Sequence, residues 1–141
     1  MLSLIKKWEG CKLKAYQDGG GVWTIGYGTT FYPQDGSKVK EGDTCTQGQA
    51  DNLLQIHVNN LVFEILHLVK PTLNENQLGA LVCFVYNIGI DAFKKSTMLK
   101  LLNEGKIGEA AGQFPRWNKD NGKVVQGLTN RRLDEQKLFL S

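Results

Sequence analysis

Three consecutive glycines, Gly19, Gly20 and Gly21, follow Asp18 and separate two runs of alternating side chains. Before them Leu13 and Ala15 share one face, with Lys12 and Lys14 on the other. After them Val22, Thr24 and Gly26 face one way, and Trp23, Ile25 and Tyr27 the other. Two period-two runs joined by a glycine turn predict a hairpin. Upstream, Leu4, Ile5 and Trp8 recur at helical spacing over Leu2–Glu9, with Ser3 as a candidate cap and Gly10 placed to stop the helix. The nine-residue step from Glu9 to Asp18 would span about 30 Å if extended. Only a chain that folds back can make these two carboxylates neighbours, and helix stop and hairpin together supply that reversal. Thr24 lies on the returning strand, on the face of small residues, where its hydroxyl has room.

Further along, residues 32–37 form a turn cluster and residues 38–42 read as a short edge strand. From Thr46 the pattern becomes helical. Thr46 and Gln49 fit a capping box, and Ala50, Leu53, Leu54, Val58, Leu61, Val62, Ile65 and Val69 recur until Pro71 forbids continuation. That predicts a helix of roughly twenty-three residues, about 35 Å long. Asn74 and Gln77 cap the next helix, which closes near Gly89. Ser96 caps another through Leu102, a short helix covers 108–114, residues 123–125 read as extended, and a last helix runs from about Thr129 to Leu140. Strands followed by helices argue an α+β fold. The predicted organisation is one domain, 1–141, with a β-rich lobe at 11–45, a helical lobe from 1–10 and 70–141, and a connecting helix at 46–69. Glu9 then falls at the seam between lobes, where a cleft is expected.

Composition narrows the function. A chain of 141 residues, 41% hydrophobic, buries a core without help from a metal or disulfide. The net charge of +3 is spread without a lysine–arginine block, so no nucleic-acid surface is expected. Cys11, Cys45 and Cys83 lack C-x-x-C spacing and read as free thiols. No apolar run approaches the ~18 residues of a membrane span, and the first ten residues, with two lysines and a glutamate, do not read as a signal peptide. His57 and His67 lack metal-ligand spacing and read as structural; Gly26-x-Gly28 lacks the following helix of a dinucleotide site. No cofactor or metal is expected.

Two carboxylates across a groove suffice to hydrolyse a glycosidic bond. One must protonate the leaving oxygen, so it must hold its proton near neutral pH, which an apolar wall such as Trp8 promotes for Glu9. The other, Asp18 on a wetter glycine turn, stays ionised and steadies positive charge on the sugar or orients a water. Thr24 is suited to help Asp18 hold that water, which leans toward the inverting arrangement.

The spacing Glu-x8-Asp-x5-Thr, set as Trp8-Glu9-Gly10, Tyr16-Gln17-Asp18 and Trp23-Thr24-Ile25-Gly26-Tyr27-Gly28, resembles the phage-type lysozymes, or endolysins (glycoside hydrolase family 24). The likeness continues in Phe84-Val85-Tyr86-Asn87-Ile88-Gly89, in Phe93-Lys94-Lys95-Ser96-Thr97-Met98-Leu99, and in Gly127-Leu128-Thr129-Asn130-Arg131-Arg132 with Glu135, Leu138 and Phe139. It lies closer to the lambdoid type than to the T-even branch, which has a histidine where this chain has Thr29. The resemblance implies a lysozyme-like fold with an active-site cleft. It implies a muramidase that cleaves the β-1,4 bond between N-acetylmuramic acid and N-acetylglucosamine, causing host cell lysis. Glu9 takes the general-acid position, Asp18 the acidic partner position and Thr24 that of the water-placing threonine. Arg131 matches a position close to the catalytic glutamate in relatives; read from the sequence alone it is an i,i+4 surface partner of Glu135. Tyr27, Tyr86 and Asn87 are candidate substrate-binding residues. The implied partner is peptidoglycan, approached by a monomer that does not insert stably in a membrane and is held in the host cytoplasm until released through a membrane lesion. The rival readings are a lytic transglycosylase, which needs one acid and no water, and a non-catalytic wall-binding module, which has no need of Glu9, Asp18 and Thr24 together.

Overall fold

In the computed structural model, which describes residues 2–141, the chain divides into two units: residues 5–60, and residues 61–141 with the N-terminal stretch through Leu4. Met1, which the sequence reading includes in the helical lobe, lies outside the described residues.

Helix α1 covers Leu2–Glu9. It already runs at Leu2, so Ser3 sits inside its first turn and does not cap it. Gly10 ends it at φ +65°, a left-handed conformation with little cost for glycine alone, its amide donating to Lys6 O at 3.2 Å. Strands β1 (Lys12–Gln17) and β2 (Trp23–Gly26) pair antiparallel, with Tyr16 opposite Thr24, Gln17 opposite Trp23 and Lys12 opposite Gly26, and an irregularity between the first and last of these. One face buries Ala15 and Ile25 with Val39, and Trp23, Tyr32 and Cys45 pack against that cluster. The edge strand expected at 38–42 is instead a single bridge, Phe31 to Lys38. The reason is local: the Lys40 amide donates to the Asp43 carboxylate at 2.9 Å, and a donor held by a side chain is lost to a ladder.

Helix α2, Gln47–Leu68, has 22 residues. Its capping box is complete: Gln49 N donates to Thr46 Oγ1 at 3.1 Å and Thr46 N to Gln49 Oε1 at 2.9 Å. The division between units falls within it, after Asn60.

In the second unit, α3 (Glu75–Ile88) starts at an Asn74–Gln77 capping box and buries every residue from Gly79 through Val85, as a central helix must. Gly89 interrupts it, and a short α4, Ile90–Lys94, follows that the sequence did not announce. Ser96 caps α5 (Thr97–Asn103), its Oγ accepting from Leu99 N at 3.1 Å and donating to Phe93 O at 2.7 Å; such a cap contributes about 1 kcal/mol. The helix expected at 108–114 stops sooner, as α6 (Ile107–Ala111), because Pro115 turns the chain into a 3₁₀ segment, Phe114–Arg116. The extended piece at 123–125 becomes β4 (Lys123–Val124), paired with β3 (Lys119–Asp120). Helix α7, Gln126–Leu140, begins three residues before the expected Thr129, whose amide donates to Val125 O at 3.1 Å and closes the first turn. The core of this unit is aromatic, with Phe84–Phe114, Phe114–Phe139 and Phe84–Trp117 edge-on at 5.2, 5.6 and 5.7 Å between centroids. Each fully buried phenylalanine contributes roughly 1.5–3 kcal/mol. All three cysteines are free thiols. Among the described residues no helix is long and apolar enough to cross a membrane.

Candidate active site

Asp18 is built into the hairpin by the hairpin's own backbone. Its amide donates to Val22 O at 3.0 Å, and its carbonyl accepts from Gly21 N at 3.0 Å. Its Oδ1 accepts from Gly20 N at 2.8 Å and Val22 N at 2.9 Å. Of the three glycines only Gly21, at φ +81°, needs the left-handed region, and that twist aims the two donors at one oxygen. With Oδ1 fixed by two amides, Oδ2 is left to face whatever enters.

Thr24 sits directly across from Tyr16 in the ladder, so the two side chains share the sheet face opposite the Ala15–Ile25 core. The Thr24 hydroxyl donates to Val22 O at 2.9 Å, which commits its proton and turns the oxygen's lone pairs outward as acceptors. Thr24 is buried, at 4% exposed.

Glu9 is the last residue of α1 and half-buried. Tyr16, across the ladder from Thr24, is half-buried. Its phenol is raised above the ordinary tyrosine value, first by burial, then by the negative fields of Glu9 and Asp18. Both carboxylates therefore act on one hydroxyl, the cross-strand neighbour of Thr24. Tyr16 enters the sequence reading only as part of a motif. Its importance follows from ladder register, which alternation alone does not fix.

Tyr27 belongs to the same unit but is enclosed. It is 7% exposed, its hydroxyl accepts from Gln47 Nε2 at 3.1 Å, and the Lys6 ammonium lies 5.6 Å from its ring centre. Lys6 in turn pairs with Asp51 at 3.4 Å. These contacts tie α1 to the start of α2.

The remaining candidates lie in the second unit. Tyr86 is half-buried in the last turn of α3. Asn87 beside it is exposed and, with Trp117, Arg116 and Arg132, lines a cavity of about 690 Å³. Arg131 is not on the surface. It is 4% exposed, and its i,i+4 pairing with Glu135 is a buried one, Nε to Oε2 at 3.2 Å, with a further bond from Nη2 to Cys83 O at 2.9 Å. Arg132, wholly buried, grips the same carboxylate: Nε meets Oε1 at 2.6 Å and Nη2 donates to Oε2 at 3.1 Å. Its guanidinium stands 5.0 Å over the Phe84 ring. Burial holds Glu135 above the ordinary carboxylate value, with the two arginines opposing it only in part, while burial lowers Arg132 and pushes the Cys83 thiol up.

Comparison with known proteins identifies the family. Residues 6–135 match the family model described as phage lysozyme. The chain is 44% identical over 140 residues to an endolysin of Bacillus phage PZA, covering 99% of this chain and 53% of that protein, so it spans about half the length of that relative. Among solved structures it is similar to an endolysin from Escherichia coli O157:H7 phage FAHEc1, with TM-score 0.89 and 38% identity over 99% of this chain and 90% of that one. It is also similar to the muramidase domain of SpmX from Asticaccaulis excentricus, with TM-score 0.87 and 38% identity over 99% and 94%.

Proposed function

The chain belongs to the phage lysozyme family, and from that premise we propose that it is an endolysin. In this reading it is a muramidase that hydrolyses the β-1,4 bond between N-acetylmuramic acid and N-acetylglucosamine in peptidoglycan. The observation that carries it is the hairpin geometry: Asp18 Oδ1 is held by the Gly20 and Val22 amides, and the Thr24 hydroxyl on the returning strand donates to the same Val22. Asp18 on the turn and Thr24 on β2 belong to one hairpin, and Glu9 belongs to the same unit of residues 5–60. The 38% identity to a muramidase domain supports the choice of bond.

In this mechanism Glu9 donates its proton to the glycosidic oxygen as the bond to the anomeric carbon breaks. Asp18, its Oδ1 held by Gly20 and Val22, presents Oδ2 to a water. Thr24, its proton committed to Val22 O, accepts a hydrogen bond from the same water. The water's oxygen attacks the anomeric carbon from the far side as Asp18 draws off its proton, which is the inverting course. Tyr16, kept protonated, is a donor for either carboxylate or for a sugar hydroxyl. Tyr27, Tyr86 and Asn87 are proposed to contact substrate. Arg131 is proposed to lie near the acid.

The test is turbidity clearing of exposed cell walls by wild type and by Glu9→Gln. Equal clearing would remove Glu9 as the acid. Product mass separates hydrolysis from transglycosylation, because a hydrolysed end is one water heavier than an anhydro end. By likeness to the family we also propose that the protein reaches the wall through a membrane lesion. Cells producing it alone should stay intact until their membrane is permeabilised, and spontaneous lysis would count against that route.

A further inference from the structure

We propose that residues 32–53 carry a second, non-catalytic sugar site, which takes an N-acetylhexosamine unit of the wall glycan. This rests on the muramidase reading above. Between the turn at Tyr32 and Gln34, the segment 43–45 and the first turns of α2 lies a cavity of about 250 Å³. It lies wholly within residues 5–60 and includes none of Glu9, Asp18, Thr24 or Tyr16.

Its walls combine one held aromatic ring, neutral side chains and a single carboxylate. The floor is Leu53, buried. One wall is Tyr32, whose ring packs against the Ala15–Ile25–Val39 cluster and whose hydroxyl donates to Asp43 Oδ2 at 2.7 Å, so the ring has one orientation. Asp43 is the only ionised side chain in the lining, and its carboxylate is already engaged, accepting from Tyr32 and from the Lys40 amide at 2.9 Å. The groups left over are neutral amides. Among the described residues Gln34 and Asn52 hold no side-chain hydrogen bond, and Gln49, whose Oε1 serves the α2 cap, keeps its Nε2 available.

A fixed aromatic face, an apolar floor and three amides able to donate and accept suit a ring bearing hydroxyls and an acetamido group. They do not suit an anion, which would lose water without gaining a counter-charge, since no basic side chain lines the cavity, and the one carboxylate, Asp43, already takes two hydrogen bonds. The cavity beside Asn87 differs on this point, since Arg116, Lys119, Asp120 and Arg132 line it. Because Tyr32 and Gln49 are already held by bonds within the fold, the cost of ordering side chains on binding falls on Gln34 and Asn52. The ligand is a repeating polymer, so even a weak second contact raises the local concentration of strand at the hydrolytic face.

The experiment uses the Glu9→Gln protein, titrated with chitotriose, the soluble β-1,4 trimer of N-acetylglucosamine, while backbone amide shifts are followed by NMR. Amides of residues 32–34, 43–45 and 49–53 should move as one saturating set, with Kd on the order of 1 mM, apart from the set around Glu9, Asp18 and Thr24. Asn52→Ala should weaken the first set by about fivefold, the loss of one neutral hydrogen bond. It should also reduce retention on insoluble walls while leaving turnover of short soluble glycans unchanged. Shifts confined to the Glu9 set, or an Asn52→Ala protein with unaltered affinity at 32–53, would overturn the second site. If no set moves but wild type still clears walls, the second site alone is rejected; if walls are not cleared either, the muramidase reading falls with it.

Discussion

In residues 5–60 the Asp18 carboxylate stands on an exposed turn and takes two backbone amides at 2.8 and 2.9 Å; in residues 61–141 the Glu135 carboxylate is wholly buried and takes two guanidinium groups. Neutral dipoles hold a carboxylate in place without a counter-charge, and both amide bonds to Asp18 go to Oδ1. Paired cations cancel the charge, and burial makes the cancellation obligatory. In the proposed mechanism the same side-chain chemistry thus serves reaction in one unit and cohesion in the other, and the deciding variable is what the carboxylate is bonded to. Substitutions should separate the two roles cleanly.

The largest effect is expected at Glu135. Glu135→Ala takes away the carboxylate with which wholly buried Arg132 is paired and should cost about 3–5 kcal/mol, read as a lowered urea midpoint at unchanged slope. Replacing the pair together, as Arg132→Met with Glu135→Leu, should recover much of that loss, because the burial cost of both ions disappears with them. A double variant no more stable than Glu135→Ala would mean that the cluster contributes more than charge balance.

Asp18→Asn should do the reverse. The asparagine oxygen can still accept from Gly20 and Val22, so the unfolding midpoint should stay within about 0.5 kcal/mol of wild type. Turnover should fall by on the order of 10²-fold with affinity for wall fragments largely kept, since only the ionised form draws a proton from water. Glu9→Gln should lose at least ~10²-fold as well. Equal damage to stability and turnover in Asp18→Asn would erase the distinction between the two carboxylates.

Much of the first unit was legible because its determinants are local. Gly10, the three glycines and the Thr46–Gln49 box each act within four residues, and all appear where the pattern put them. The helix caps at Asn74 and Ser96 were legible for the same reason. What escaped depends on partners remote in sequence. Lys38 to Gly42 alternates like a strand, yet Asp43 withdraws the Lys40 amide. Arg131 and Glu135 have the spacing of a surface pair, but whether α7 turns that face inward is decided by α3, whose Cys83 carbonyl receives the Arg131 guanidinium. Tyr16 is the same kind of omission on a smaller scale: only the register with Thr24 reveals it.

Gly21→Ala sharpens the comparison from the backbone side. At φ +81° an alanine is strained by about 1 kcal/mol even though nothing crowds its Cβ. The cost to stability should be no more than that. Turnover should suffer further if the turn relaxes, because the Gly20 and Val22 amides would lose their common aim at Asp18 Oδ1. A loss of stability with turnover intact would mean that Asp18 does not depend on those donors for its placement.

Asp43 falls between the two extremes, and its partner gives the smallest effect to be measured. Its carboxylate takes one backbone amide, as Asp18 does, and one side-chain proton, from Tyr32. Burial, and then the bond and field of Asp43, push the Tyr32 phenol from 10.0 up to about 12. The folded protein therefore retains a proton that the unfolded chain has lost, and the Tyr32 contribution to stability is complete below pH 10 and vanishes as pH rises through about 12. Wild type should lose stability across that window with a slope of about one proton from this residue, and Tyr32→Phe should remove that share. A residual slope is expected from Tyr16 and Tyr27, whose phenols burial also raises. Urea midpoints at pH 10, 11 and 12 for the two proteins measure the difference. Parallel curves would mean that the Tyr32–Asp43 bond opens before the phenol ionises, and would place Asp43 with Asp18, as a carboxylate held by backbone alone.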